Sequence, residues 1–244
     1  MQNQIKTVLI TGASSGIGQA TAFRFAKEKY NLILTYNKNK QGAEETKNKC
    51  KELGADEILI LQLDLKNQDN IKQVVNVTLN KYSKIDILIN NAAVIKMNYL
   101  KKQSLADIDE QIQTNLTGLI KLSKLFLPHL KQSLINIGSN LSTIGKSRAG
   151  VYSATKFGAR GFTKSIALER KDLQVHIVNP SLTATPMVNY QGMNPKKVAE
   201  VIFNTAVGNY KSKSGSDVNV RDYRFGKFLA KIIIFLKKIK NLFL

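Results

Sequence analysis

The sequence predicts a doubly wound α/β fold, a parallel sheet covered by helices on both faces. Three observations predict it. Short β-branched and aliphatic runs recur at 7–10, 32–35, 58–63, 85–89, 134–137 and 175–178. Between them lie longer segments with apolar residues at helical spacing, 19–29, 41–53, 67–81, 105–130 and 153–170. The strand runs are largely apolar on both faces rather than alternating, as strands buried between two helical layers are. In such a sheet ligands bind at the carboxyl ends of the strands.

Taken in order, each strand run passes into a segment with chemistry of its own. Run 7–10 enters a glycine-rich turn, 32–35 is followed by Tyr36-Asn37-Lys38, and 58–63 by Asp64-Leu65. Run 85–89 leads into Asn90-Asn91-Ala92-Ala93, and the long helix 105–130 contains Asn115. Ser139 stands on a glycine-containing turn after 134–137, Tyr152 opens the helix 153–170, and Pro180 through Thr185 follow the sixth run. From Pro195 onward the pattern offers a helix over 195–207, a polar loop, a short strand at 217–220 and a basic apolar tail. With 244 residues, 43% of them hydrophobic, the chain fits one Rossmann-type domain over 1–222 and a basic amphipathic helix over 223–244.

Composition narrows the function classes. Cys50 is the single cysteine, so an internal disulfide is excluded, a thiolate metal cluster has no ligands, and no metal site is expected. The first apolar run reaches the glycine turn at once, leaving no room for a signal peptide, so a cytoplasmic protein is expected. The formal charge of +20 invites a nucleic-acid reading. However, the lysines are spread along the chain without an aromatic-interleaved basic block, so no nucleic-acid partner is expected.

Thr11-Gly12-Ala13-Ser14-Ser15-Gly16-Ile17-Gly18 joins the first strand to the first helix, the context in which a glycine-rich motif carries a mechanism. Glycines there allow a sharp turn, close approach of the pyrophosphate and close packing of helix on strand, while free N–H groups at the helix start attract the anion. A dinucleotide is the expected ligand. Tyr152 and Lys156 lie four residues apart on one helical face, where a cation would stabilise the phenolate and lower its pKa. Such a pair is a tunable proton donor and acceptor.

These motifs, in this order and spacing, resemble the short-chain dehydrogenase/reductase family in its compact single-domain branch. The likeness covers roughly residues 6–187. It implies transfer of a hydride between a nicotinamide cofactor and a small-molecule carbonyl or alcohol. Tyr152 would be the acid/base, Ser139 the partner of the substrate oxygen, Lys156 the ribose ligand that lowers the Tyr152 pKa, and Asn115 the holder of a water linking Lys156 to solvent. Gly12, Ser14, Ser15, Gly16, Ile17 and Gly18 would hold the pyrophosphate end. Asp64 would accept from the adenine amino group, with a local helix cap as the alternative, and Leu65, Asn90 and Ala92 would flank the cofactor. Pro180, Thr183 and Thr185 would meet the carboxamide or phosphates. Two departures stand out: Ala93 occupies a glycine position of the Asn-Asn-Ala-Gly pattern, and Ser181 that of Pro-Gly.

Tyr36, Asn37 and Lys38 are the expected ribose-side contacts. No acid follows the second strand to repel a 2′-phosphate, and Lys38 and Lys40 are nearby, so NADP(H) is favoured over NAD(H). Only 188–194 separates the last motif from Pro195, which predicts an open cleft. In the tail, Lys227, Lys231 and Lys238 recur among apolar residues, and the charge-free run 232–236 is too short to span a bilayer. A helix lying peripherally on a membrane and a helix packed on another subunit both fit. The resemblance implies a homodimer or homotetramer. Two rival functions share parts of the pattern: a nucleotide-sugar epimerase or dehydratase, and a dinucleotide-binding sensor without turnover.

Overall fold

The computed structural model describes residues 5–210 and 212–223. The basic tail from 224 onward, with the amphipathic helix expected there, lies outside the described residues. Seven strands form one sheet: β1 (Thr7–Ile10), β2 (Asn31–Tyr36), β3 (Ile58–Gln62), β4 (Ile85–Asn90), β5 (Leu130–Ile137), β6 (Gln174–Asn179) and β7 (Asp217–Asn219). Their order is β3-β2-β1-β4-β5-β6-β7, and every neighbouring pair is parallel. The chain winds outward one way from β1 and the other way from β4. At that reversal the connections diverge and leave a crevice beyond the carboxyl ends of β1 and β4.

Among the described residues seven α-helices cover the sheet: α1 (Gly16–Ala26), α2 (Lys40–Glu52), α3 (Gln68–Tyr82), α4 (Leu105–Ile112), α5 (Leu119–Phe126), α6 (Gly150–Glu169) and α7 (Pro195–Ala206). Alternate strand residues serve opposite layers, which is why the strand runs read as apolar on both faces. Val8 and Ile10 pack with Phe25, Ile202 and Phe203 of α1 and α7. Leu9 and Leu88 pack on the other side with Ile71, Val74, Leu122 and Phe126 of α3 and α5. Each such fully buried side chain contributes roughly 1.5–3 kcal/mol over leaving it in water.

The helix expected over 105–130 is not continuous. After α4 the chain makes a π-helical turn, Gln113–Gly118, then α5, and then a short 3-10 turn, Leu127–His129, that leads directly into β5 at Leu130. Pro128 has no N–H to continue the helical ladder, so the helix ends there and β5 begins four residues before the expected run. The π turn holds Asn115, whose side chain bonds both backbone groups of Val94, accepting from the N–H and donating to the carbonyl at 2.8 Å each. Wide turns of this kind cluster at functional sites.

The turn between β1 and α1 is pinned on two sides. Thr11 N–H donates to the Ile89 carbonyl at 3.0 Å, and Ala13 N–H to the Thr35 carbonyl at 2.8 Å. Gly12 has φ +65, a backbone region that side chains disfavour. At Gly18 the constraint is space: a Cβ there would lie 2.2 Å from the Gly12 carbonyl oxygen. Gly18→Ala should therefore push α1 off the turn and destabilise the fold by about 1–3 kcal/mol, the cost of overpacking. Urea unfolding of the two proteins measures it, and equal midpoints would show that the helix has room to shift.

Candidate active site

The crevice is a cavity of about 560 Å³ whose wall gathers the motifs read from the sequence. Gly12, Ser14, Ser15, Gly16 and Ile17 line one end, with Tyr36, Asn37 and Lys38 beyond them. Ala92, Leu65, Pro180, Thr183 and Thr185 form the flanks, and Ser139, Tyr152 and Lys156 stand at the other end. Thr185 packs against Gly16, so close that its methyl carbon would be 2.9 Å from a Cβ at that glycine. The backbone-lined cradle between these segments fits the pyrophosphate of a dinucleotide: a sharp turn, the start of α1, and no acidic residue in that helix's first turn.

Tyr152 and Lys156 project from the first two turns of α6, on one face as their spacing requires. Both are buried, at 9% and 3% exposure. Lys156 Nζ donates to the Ile137 carbonyl at 2.7 Å, just before the Ser139 turn, and lies 5.5 Å from the centre of the Tyr152 ring. Ser139 is set by two contacts at its backbone N–H, to Ser142 Oγ at 3.0 Å and to Asn179 Oδ1 at 3.2 Å. Its hydroxyl accepts from Leu141 N–H at 3.1 Å and donates to Asn140 Oδ1, also at 3.1 Å.

The electrostatics of the pair depart from expectation. The phenol of Tyr152 is not lowered by its neighbour. Burial pushes it up to about 12, against a smaller downward pull from a hydrogen bond with Ser139. Burial also pushes Lys156 down to about 8. The leading cause is common to both: each charged form loses its hydration on burial.

Four expected site residues stand elsewhere. Gly18 lies beneath the turn as a packing position. Asn90 is buried and donates to Ser123 Oγ and Asn136 Oδ1 at 2.8 Å each, away from the cavity wall. Asp64 does not line the cavity either; its carboxylate accepts from Lys66 N–H at 3.0 Å. It does not cap α3, because Asn67 takes that place, accepting from Asp69 and Asn70 N–H. Asn115 also lies behind the wall, with its two amide protons given to Val94 and Thr155, so only one Oδ1 lone pair remains for a water. Neither Ala93 nor Ser181 is among the residues with positive φ, so both glycine replacements sit in ordinary backbone.

Asn91 is a site residue that the motif pattern did not single out. Its amide donates to the carbonyls of Thr11 and Gly12 at 2.8 and 3.1 Å, and its own N–H, with that of Ala92, donates to Thr11 Oγ1 at 2.9 Å. It therefore clamps the end of β4 to the glycine turn. The doubled asparagine was the available signal, because one of two neighbours on a strand end must face the adjoining turn. The short segment after β6 forms a rim rather than a roof: Leu182, Met187 and Tyr190 are all exposed.

Residues 6–196 match the short chain dehydrogenase family. The chain is 32% identical over 203 residues to 3-oxoacyl-(acyl-carrier-protein) reductase of Synechocystis sp., covering 81% of each protein. It is 30% identical over 190 residues to the reductase FabG of Staphylococcus aureus, covering 75% of this chain and 77% of that one. Among solved structures, a short-chain dehydrogenase from Burkholderia cenocepacia in complex with NADP superposes with a TM-score of 0.81 at 26% identity, over 88% of this chain and 95% of that one.

The buried lysine makes stability depend on pH. Below pH 8 both folded and unfolded chains hold its proton, and the full cost of burying the charge is felt, on the order of 3 kcal/mol. Between about 8 and 10.5 the folded state releases the proton first, so the unfolded state binds more and stability rises with pH. Lys156→Met lacks that cost. In urea titrations its stability advantage over the wild type should therefore shrink as pH is raised from 7 to 10, and an advantage that stays constant would show the ammonium to be hydrated.

Proposed function

Since the chain belongs to the short-chain dehydrogenase family, we propose that it is an NADP(H)-dependent reductase of a carbonyl compound, working reversibly on the corresponding alcohol. The observation that carries this reading is the convergence of Tyr152, Ser139 and Lys156 on the same cavity as the glycine turn. The catalytic unit is 1–222, one Rossmann-type domain. When bound, NADP(H) supplies the hydride.

Reduction places a hydride on carbon and leaves a developing negative charge on oxygen, which must be met by a proton. Tyr152 holds its proton at neutral pH, since burial pushes its phenol up to about 12, and so stands ready as the donor. The Ser139 hydroxyl turns from Asn140 to donate to the same oxygen and hold it toward Tyr152. Once the proton has left, the phenolate is buried, and the nearby ammonium of Lys156 is the charge that stabilises it. Ser14, Ser15 and the N–H groups at the start of α1 would hold the pyrophosphate, and Lys156 the nicotinamide ribose. Asn115 acts as a positioning residue, tying the loop after β4 to the π turn.

Selection of the 2′-phosphate falls to Lys38. It is exposed at the cavity end next to Tyr36 and Asn37, and it has no ion-pair partner among the described residues. The absence of an acid there removes the repulsion that excludes NADP(H). The name of the two curated relatives makes 3-oxoacyl thioesters the first compounds to try, beside simple ketones and quinones.

Two experiments test the proposal. Tyr152→Phe should lower turnover of NADPH with any accepted carbonyl by roughly 10²–10⁴ while cofactor affinity stays within a few fold; unchanged turnover removes Tyr152 from the chemistry. Lys38→Glu should weaken NADPH about tenfold relative to NADH, which is ~1.4 kcal/mol. Titration of both cofactors into both proteins reads the ratio, and a ratio that does not move places the phosphate contact elsewhere.

A further inference from the structure

A second cavity, of about 400 Å³, adjoins the catalytic one at Lys146, which lines both. Along the chain after β4, Val94, Ile95 and Met97 line the first cavity, and Asn98, Tyr99 and Leu100 carry straight on into the lining of the second. On the facing side Lys146 borders both, while Ser147 and Arg148 border the second alone. The two walls are tied where Asn98 N–H donates to the Arg148 carbonyl at 2.9 Å. Ile95 and Met97, on the wall of the first cavity, thus stand next along the chain to the lining of the second.

The charge of that space is one-sided. Lys146 and Arg148 line this solvent-open hollow, both exposed, no aspartate or glutamate does, and neither cation has an ion-pair partner among the described residues. The carboxylates of Asp107 and Glu110 on α4 go instead to Lys96, at 3.8 and 3.3 Å. The Arg148 guanidinium lies 5.7 Å from the centre of the Tyr99 ring, a cation–π contact that leaves its N–H donors without an acceptor among the described residues. Its backbone is also strained, with φ +66, in a region that long side chains rarely occupy. Such strain persists only where the surroundings over-determine it, and it gathers at ligand clamps.

We propose that the second cavity receives the anionic, non-reacting end of the substrate, held by Arg148 and Lys146. The substrate class is then an extended carbonyl compound with an apolar stretch and, at its far end, a carboxylate or a phosphate. This rests on the reductase reading for the word substrate, but the anion site itself does not.

Equilibrium binding separates the two. Decanoate, decyl phosphate and 1-decanol are titrated calorimetrically into the full chain and into Arg148→Gln, Lys146→Gln and the double variant, with thermal melting as the check on folding. The wild type should bind at least one of the anions more tightly than the alcohol. The ratio of anion to alcohol affinity should fall about tenfold or more in the double variant, as expected for loss of charge-assisted hydrogen bonds. A larger fall for decanoate assigns a carboxylate, and a larger fall for decyl phosphate assigns a phosphate. Equal affinity of the wild type for all three, or a ratio that the variants leave unchanged, overturns the proposal. Failure of every carbonyl compound to be reduced would remove the reductase reading and leave this measurement to stand or fall by itself.

Discussion

A lysine ammonium buried at the end of a parallel sheet, with the Ile137 carbonyl as its hydrogen-bond partner, is the constraint on which the rest of the site depends. An ammonium deprived of water favours losing its proton, and a phenol deprived of water favours keeping it. Side by side on α6, the two groups are thus biased toward a state in which the proton sits on the oxygen. What holds them there is the sheet: β5 delivers the carbonyl, its next turn delivers Ser139, and the start of α6 delivers both side chains. The site is unfavourable as a set of isolated charges and is maintained by the packing beneath it.

That packing includes a polar layer as well as an apolar one. Asn90 bridges to Ser123 and Asn136, Asn136 passes a bond to Thr163 on α6, and Asn179 reaches the Ser139 backbone. Buried amides of this kind are costly unless every group is met, and when met they fix one geometry. The chain from β4 through β5 to α6 therefore couples the position of Lys156 to that of the glycine turn, which Asn91 holds from the same strand end. Movement of the turn would disturb the lysine through shared strands rather than through direct contact.

Much of this architecture was legible in the sequence because it is written in periodicity. Strands apolar on both faces, helices between them and a glycine turn after the first strand are local patterns, and each expected strand run is present. The helix over 105–130 misled because six residues of π turn and three of 3-10 turn are too few to show a change of apolar spacing, and only Pro128 marked the end. Asn90 and Asp64 stand off the cavity wall for another reason, while Asn115 keeps a lone pair for the expected water. An amide or carboxylate in a motif names a neighbourhood, but which of two adjacent residues faces the ligand depends on the register of strands far apart in sequence. The phenol pKa misled because spacing brings a cation near without saying how much water is excluded.

The overall charge takes on a different meaning once the cavity is known. Spread along the chain, an excess of lysine reads as solubility, but field lines concentrate in clefts with low-dielectric walls. Here the catalytic cavity is lined by Lys38 at one end and by Lys146 and Lys156 at the other, against the single acid Glu110, which is paired with Lys96. Such a cleft attracts anions along its whole length and lets local geometry sort them. In the proposed reading a dinucleotide phosphate would sit where backbone N–H groups converge at α1, and a second anion would meet Lys146 and Arg148 beyond Met97. The net charge of +20 then raises the local concentration of both kinds of ligand without selecting either, and selection rests on the few side chains that lack a partner.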